Sequence, residues 1–208
     1  MVKERKRLIQ TSIKDESLIE KRRTEMILAA VRLFKEKGFH RTTTREIAKE
    51  AGFSIGTLYE YIRTKEDILY LVCDNIYLEV RKRLEPIEKQ EATLEGLIYA
   101  IDQYYHLVDD MQDEMLVMYQ ESKSLPKDAL EYVLSKEIEM VGHFKNLLIG
   151  CEKKGELHMP LTEIKLLAHQ IVLQGQAWAF RRWAWRKNLK IEDYIQMQTK
   201  ILLNGILR

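Results

Sequence analysis

The chain predicts an all-α fold, and three observations carry that expectation. Apolar residues recur at helical spacing along the whole chain, and no window alternates apolar and polar residues over a strand length. There are only 3 prolines, Pro86, Pro126 and Pro160, and the glycines stand mostly where periodic runs end. An apolar content of 46% over 208 residues supplies a sizeable core for one or two domains.

The elements follow in order. Met1–Ser17 is charged throughout with little periodicity and reads as an N-terminal arm, residues 1–20 in the domain plan. A first helix spans about Leu18–Lys37, with Ile27, Ala30, Val31 and Phe34 on one face. Two short helices follow. Thr43 caps the first and Glu46, three residues on, closes a capping box. Ile47, Ala48 and Ala51 give it one apolar side, and Gly52 suits the turn because glycine accepts positive φ. Ser54 caps the second, with Leu58 and Ile62 inward and Thr57, Tyr59 and Tyr61 outward. Two short helices about a tight turn, the second exposing hydroxyls and aromatics, describe a DNA-binding helix-turn-helix.

Thr64 caps a fourth helix, about Lys65–Leu84, with Leu69, Val72, Ile76 and Val80 inward and Pro86 marking its end region. A stripe of Leu94, Leu97, Ile98, Ile101, Tyr105 and Val108 defines Thr93–Asp109, and a shorter helix covers about Asp113–Lys123. The next, about Leu125–Lys154, has Pro126 in its first turn and Gly155 as its stop. It is apolar on two faces, Leu130, Leu134, Ile138 and Val141 against Val133, Met140, Phe144 and Leu147, and is expected to be central. Leu161–Lys187 and Ile191–Leu207 complete about nine helices. Residues 21–66 form the helix-turn-helix domain and residues 67–208 the body.

Residues Gly38-Phe39, Thr42-Thr43-Thr44, Ile47-Ala48, Ala51-Gly52, Ser54 to Tyr61 and Lys65-Glu66 stand in an order and spacing that resembles the DNA-binding domain of the TetR family of bacterial transcriptional regulators. The likeness covers about Arg22 to Leu71; Ile62 stands where the family usually has phenylalanine, and Ile55 where it often has a polar or small residue. The resemblance implies phosphate contacts from Thr44, Ser54, Tyr59, Tyr61 and Lys65. Thr44 and Lys65 lie at helix N-termini, where free N–H groups favour phosphate, and tyrosine hydroxyls bond phosphate without a charge to desolvate. Gly56 permits close approach to base edges, Ile55 and Thr57 suit thymine methyls, and Arg45 suits a guanine edge or a phosphate. Lys21, Arg22 and Arg23 suit the backbone or the minor groove.

Charge distribution agrees with a polyanion partner at one end. Residues 1–65 hold 16 Lys+Arg against 9 Asp+Glu, and the remainder 18 against 23. Cys73 and Cys151 lack a CxxC partner and read as reduced thiols; with no signal peptide and no span-length apolar run, the expected location is cytoplasmic. The five histidines are scattered, with no HExxH, GxSxG, phosphate-cradling loop or dinucleotide fingerprint, so neither enzyme, metal site nor cofactor is implied. His169 reads as a hydrogen-bonded core histidine.

In this family the body generally dimerises and holds a small-molecule pocket. Tyr104, Tyr105, Met111, Met115, Met118, Tyr119, Phe144, Gln174 and Trp178 offer an adaptable apolar wall, or simply core. Gln170, Gln174, Trp178, Arg181, Arg182 and Trp185 form a polar and aromatic stripe, ending in a basic cluster with Arg186 and Lys187. That cluster suits an apolar ligand with an anionic head, or equally a solvated helix C-terminus. Met118–Lys123 through Leu148, and Glu152–Leu157, are similar to the sensor domain of the FadR-like repressors of fatty-acid degradation, whose effectors are long-chain acyl-CoA thioesters.

The whole chain therefore reads as a homodimeric repressor that binds a palindromic double-stranded operator and is released by a small apolar effector, with long-chain acyl-CoA the class the second resemblance implies. Tyr105, Met115, Tyr119, Phe144, Gln174 and Trp178 would wall the pocket, and Arg181 and Arg182 would meet the phosphates. The last two helices would pair in a four-helix bundle, with Val172, Gly175 and Ala179 as a small-residue strip and Tyr194, Ile195, Ile201 and Leu202 as apolar area. The alternatives are a multidrug-type sensor of planar or cationic compounds, an architectural DNA binder without a ligand, and a small helical enzyme.

Overall fold

The structure is a computed structural model and describes residues 9–88, 92–185 and 187–206. These residues form helices α1 (Glu16–Lys37), α2 (Thr44–Glu50), α3 (Ile55–Tyr61), α4 (Lys65–Glu88), α5 (Leu94–Asp110), α6 (Gln112–Glu121), α7 (Lys127–Lys153), α8 (Leu161–Phe180), α9 (Arg182–Trp185) and α10 (Ile191–Ile206), with a 3₁₀ turn at Ser122–Ser124 and no strand among the described residues. They fall into two compact units, Met1–Ile76 with Leu116–Ser135, and Tyr77–Met115 with Lys136–Arg208.

The first unit is larger than the planned helix-turn-helix domain because the N-terminal part of α4 and the segment 116–135 share its core. Tyr132 stands 5.4 Å from Tyr70, ring to ring, and its hydroxyl donates to the buried Asp74 carboxylate at 2.7 Å. Glu121 accepts the Phe39 N–H. Asp15 starts α1 by accepting the Leu18 N–H, and Gly38 ends it at φ 84°. Met26, Ile27, Ala30, Val31 and Phe34 bury the expected face of α1 against Ile47 and Ala48 of α2, Leu58 of α3 and Ile62. Gly52 makes the α2–α3 turn at φ 76°.

In the second unit α8 packs against α5, and α5 against α10. Its organising feature is Gly175. A Cβ there would lie 2.6 Å from Cε1 of Tyr104 and 2.9 Å from Cδ1 of Tyr105, so the missing side chain is what lets both rings seat on α8. Their hydroxyls donate to the carbonyls of Val172 (3.4 Å) and Ile171 (3.1 Å), which keeps two buried polar groups satisfied. Phe144 completes the cluster 5.4 Å from Tyr104. Tyr194 packs 5.0 Å from Trp178 and donates to the Gln174 carbonyl at 2.7 Å.

Several expectations change. The helix expected over Leu161–Lys187 breaks at Arg181 (φ −106°, ψ 16°), and the short α9 brings Trp185 within 6.1 Å of Tyr194. α4 continues through Pro86 in its last turn, at the loss of one i→i−4 hydrogen bond. α7 buries Val133, Met140, Phe144 and Leu147 on one apolar face, whereas on the other only Val141 is buried and Leu134 and Ile138 face solvent. Val172, Gly175 and Ala179 are consumed inside the protomer, as are Tyr194 and Ile195, so the small-residue strip is not a subunit interface. His169 is exposed rather than core.

The tight seat of Gly175 sets one expected outcome. Gly175→Ala should lower stability by about 1–2 kcal/mol in urea unfolding, overpacking outweighing alanine's better helix propensity. An unchanged midpoint would mean that both tyrosines can retreat.

Candidate nucleic-acid interface and effector site

The helix-turn-helix surface is assembled by caps. Thr43 accepts the Glu46 N–H through Oγ1, and the Glu46 carboxylate accepts the Thr43 N–H at 2.9 Å. Lys37, first, and Thr43 hold the Glu46 carboxyl down to about 2, so this cap persists until the pH falls toward that value. Ser54 Oγ accepts the Thr57 N–H at 3.0 Å and lies 2.9 Å from the Thr57 hydroxyl. Across the turn, the hydroxyls of Thr44 and Tyr59 meet at 3.0 Å. Tyr59 is 46% exposed. Thr44 on α2 and Ser54, Thr57 and Tyr59 at α3 thus form a row of solvent-facing hydroxyls, with Gly56 exposed and Ile55 half-buried beside them. Arg45 is exposed on α2. Arg22 lies at the margin, bonded to Glu25 at 3.0 Å and 5.0 Å from the centre of the Phe53 ring.

Two expected contact residues play other parts. Tyr61 is 3% exposed: two residues from Tyr59 it sits about 200° round the helix, on the face of Leu58. The Lys65 ammonium donates to the carbonyls of Phe39 (2.6 Å) and Thr42 (2.8 Å) and lies 4.2 Å above the Phe39 ring. It ties α4 to the loop after α1 and is not presented to a phosphate. Arg23 likewise turns inward, donating to Tyr61 O at 3.1 Å and Ile9 O at 2.9 Å. That inward use links residues up to 38 apart, and no local signal foretells it.

The expected effector residues divide. Tyr105, Met115, Phe144 and Trp178 are buried in the second unit, where Trp178 Nε1 donates to Asp109 at 2.7 Å. Burial pushes the Tyr104 and Tyr105 hydroxyls well above the ordinary phenol range, so both act as neutral donors. Gln174 is exposed and lines, with Tyr105, Leu166, Gln170, Ile201 and Leu202, an open groove of about 400 Å³ between α8 and α10. Tyr119 is 65% exposed and belongs to the first unit, so it leaves the pocket wall. Arg181 is exposed, 5.3 Å from the centre of the Trp183 ring; Arg182 bonds Asp113. Arg186 lies outside the described residues. Among the described residues no group of histidine, cysteine and carboxylate side chains could hold a metal ion. No helix among them is long and apolar enough to cross a membrane.

A capped helix-turn-helix carrying a hydroxyl row, on an otherwise helical chain, defines a DNA-binding transcriptional regulator. Residues 27–70 match the profile of the bacterial regulatory proteins of the tetR family. The chain is 30% identical to the HTH-type transcriptional regulator HbdR of Aromatoleum sp. (strain CIB), over 96% of this chain and 86% of that one. It is 35% identical to the fatty acid metabolism regulator protein of Bacillus subtilis (strain 168) over 40% and 44% of the two chains. Among solved structures, AibR in complex with isovaleryl coenzyme A and operator DNA superposes with a TM-score of 0.73 at 17% identity, covering 86% of this chain and 97% of that chain. The chain belongs to the TetR family of transcriptional regulators.

Tyr59 and Lys65 separate experimentally. Tyr59→Phe should weaken specific and non-specific DNA binding alike, by about 0.5–1.5 kcal/mol in binding titrations, since a phosphate contact carries no sequence information. Lys65→Ala should leave the salt dependence of binding unaltered and lower the thermal midpoint. A salt slope reduced by about one unit would return Lys65 to the interface.

Proposed function

We propose that the protein is a repressor that binds a palindromic operator as a homodimer and is released by an apolar acyl-CoA thioester. The hydroxyl row of Thr44, Ser54, Thr57 and Tyr59 carries the DNA part: it surrounds Gly56, the point of α3 able to come closest to base edges. Two such helices enter successive major grooves roughly 34–36 Å apart in the usual helix-turn-helix arrangement. The dimer face is the open side of α8 and α10, where Leu166 and Ile201 line the groove and Leu173 and Met197 also stand exposed. A C2 interface uses one patch twice, so Ile201→Glu (Ile201 is 66% exposed) should give a soluble monomer in sedimentation and abolish operator binding. A dimeric mutant would place the interface elsewhere.

The effector reading rests on the second unit. Tyr104, Tyr105, Phe144 and Trp178 supply an aromatic site for an acyl chain, and Arg181 and Arg182 supply cations for the CoA phosphates, Arg182 by leaving Asp113. A fatty acid metabolism regulator among the relatives and a CoA-bound structural neighbour support the same class. Burial is worth roughly 0.8 kcal/mol per CH₂, so release should sharpen with chain length until the site is full. A ligand shifts the equilibrium only by its differential affinity for the two states. Long-chain acyl-CoA should therefore dissociate the operator complex in anisotropy titrations while free CoA does not. Arg181→Ala with Arg182→Ala should raise the required concentration about tenfold at unchanged DNA affinity. One observation favours a second reading. Glu137 is pushed above the ordinary carboxyl range by burial and accepts from Gln176 (2.7 Å) and Tyr77 (3.3 Å), a setting that a cationic ligand would complement. Release by a planar cation, abolished in Glu137→Gln, would select it.

A further inference from the structure

The recognition helix α3 ends without a cap of its own. Ile62 leaves it in extended conformation (φ −143°, ψ 169°), in place of the positive-φ glycine that commonly folds a chain back onto the last carbonyls. The carbonyls of Glu60 and Tyr61, its last two residues, are served from outside the helix. Thr11 Oγ1 donates to Glu60 O at 2.8 Å, and the Ser12 N–H donates to the same oxygen at 3.1 Å. Arg23 Nη2 reaches across from α1 and donates to Tyr61 O at 3.1 Å and to Ile9 O at 2.9 Å. One guanidinium thus joins α1, residues 9–12 and the end of α3, where positive charge also meets the negative end of the helix dipole. The start of α4 is tied in at the same junction. The buried Asp67 carboxylate accepts the N–H groups of Arg63 and Thr64 at 3.0 and 2.9 Å, and its charge favours the cationic Arg23.

We propose that Arg23 is a positioning residue for base recognition, and that residues 9–12 share this role without touching DNA. Ser54 fixes the N-terminal end of α3, which carries Gly56 and Thr57. Arg23, Thr11 and Ser12 fix the other end. Seven residues of helix are roughly 10 Å long, so a tilt of about 10° displaces one end against the other by about 1.7 Å. Hydrogen bonds to base edges tolerate only about 0.5 Å and weaken steeply with angle, so a displacement of that size breaks them. Non-specific attraction is different, because it comes from cations near phosphates and survives small shifts of a helix. Loosening the C-terminal end of α3 therefore costs discrimination between sequences and spares general affinity for DNA. The inference rests on the helix-turn-helix reading of α2 and α3.

The test uses the full-length protein, a duplex that it selects from a random library, and a scrambled duplex of the same composition. Both are titrated in a salt series, well below the thermal midpoint of each variant. Arg23→Met keeps the stem and removes the donors, Arg23→Lys keeps a cationic donor, and Thr11→Val removes only the hydroxyl on Glu60. Arg23→Met should bind the selected duplex about tenfold more weakly and the scrambled duplex within about twofold of wild type, at an unchanged salt slope. Arg23→Lys should recover most of the lost discrimination. Thr11→Val, at a half-buried position, should lose about threefold on the selected duplex alone. A purely structural role for Arg23 would lower the thermal midpoint and leave the ratio of the two affinities at its wild-type value. That unaltered ratio, in whichever of the variants fold, overturns the proposal. A salt slope reduced by about one unit in Arg23→Met would make Arg23 a phosphate contact and overturn it as well. A wild-type protein that selects no duplex would overturn the helix-turn-helix reading instead.

Discussion

A seven-residue helix does not hold its shape alone in water, because nucleation costs several fixed dihedrals before the first hydrogen bond returns anything. α3 is such a helix, and the DNA surface depends on what clamps it. Ser54 satisfies its N-terminal turn. Leu58, Tyr61 and the following Ile62 bury one face completely against α1 and α2. Arg23 and the arm satisfy the carbonyls of its last two residues. With both ends and one face committed, only the remaining face is free to meet a ligand, and it carries Thr57 and Tyr59 beside Gly56. Rigidity here is what makes a hydroxyl useful, since a side chain that must be ordered on binding returns part of its gain as entropy.

The first unit shows how cations divide between structure and recognition. Lys65 stands at the start of α4, an unfavourable place for positive charge against the helix dipole, yet its long stem carries the ammonium back to the carbonyls after α1. Arg23 is drawn inward to two carbonyls of the same unit. Arg45 carries no such bond among those described and is exposed beside the hydroxyl row. The N-terminal charge excess is therefore not a count of DNA contacts; part of it holds the domain together.

The second unit depends on a different constraint. Two adjacent tyrosines on α5 can both lie against α8 only where α8 has no side chain, at Gly175, and their hydroxyls must then find acceptors in a dry interior. They take the Ile171 and Val172 carbonyls, which already serve the helix ladder and have a second lone pair to offer. This arrangement draws Gly175, Val172 and Ala179 into the protomer and leaves Leu166, Leu173 and Ile201 outside. The division between core and exposed apolar surface in α8 and α10 follows from it.

Local chemistry in the sequence determined the helical class, the ends of α2 and α3, and the inward residues of α1, because caps, positive-φ glycines and i, i+4 spacing act over one or two turns. The same arithmetic held the position of Tyr61, whose three-residue separation from Leu58 puts both on one face; its chemical likeness to Tyr59 obscured that. What only the tertiary structure decided lies beyond local reach. Lys65 and Arg23 bind carbonyls 14 to 38 residues away, Tyr119 falls in the unit of the DNA-binding helices, and α7 leaves Leu134 and Ile138 of its second apolar face exposed. Periodicity says that a face is apolar but not whether a neighbour arrives to cover it. A long cationic side chain reaches any carbonyl within about 6 Å of its Cα, and which carbonyl that is depends on the packing of helices distant in sequence.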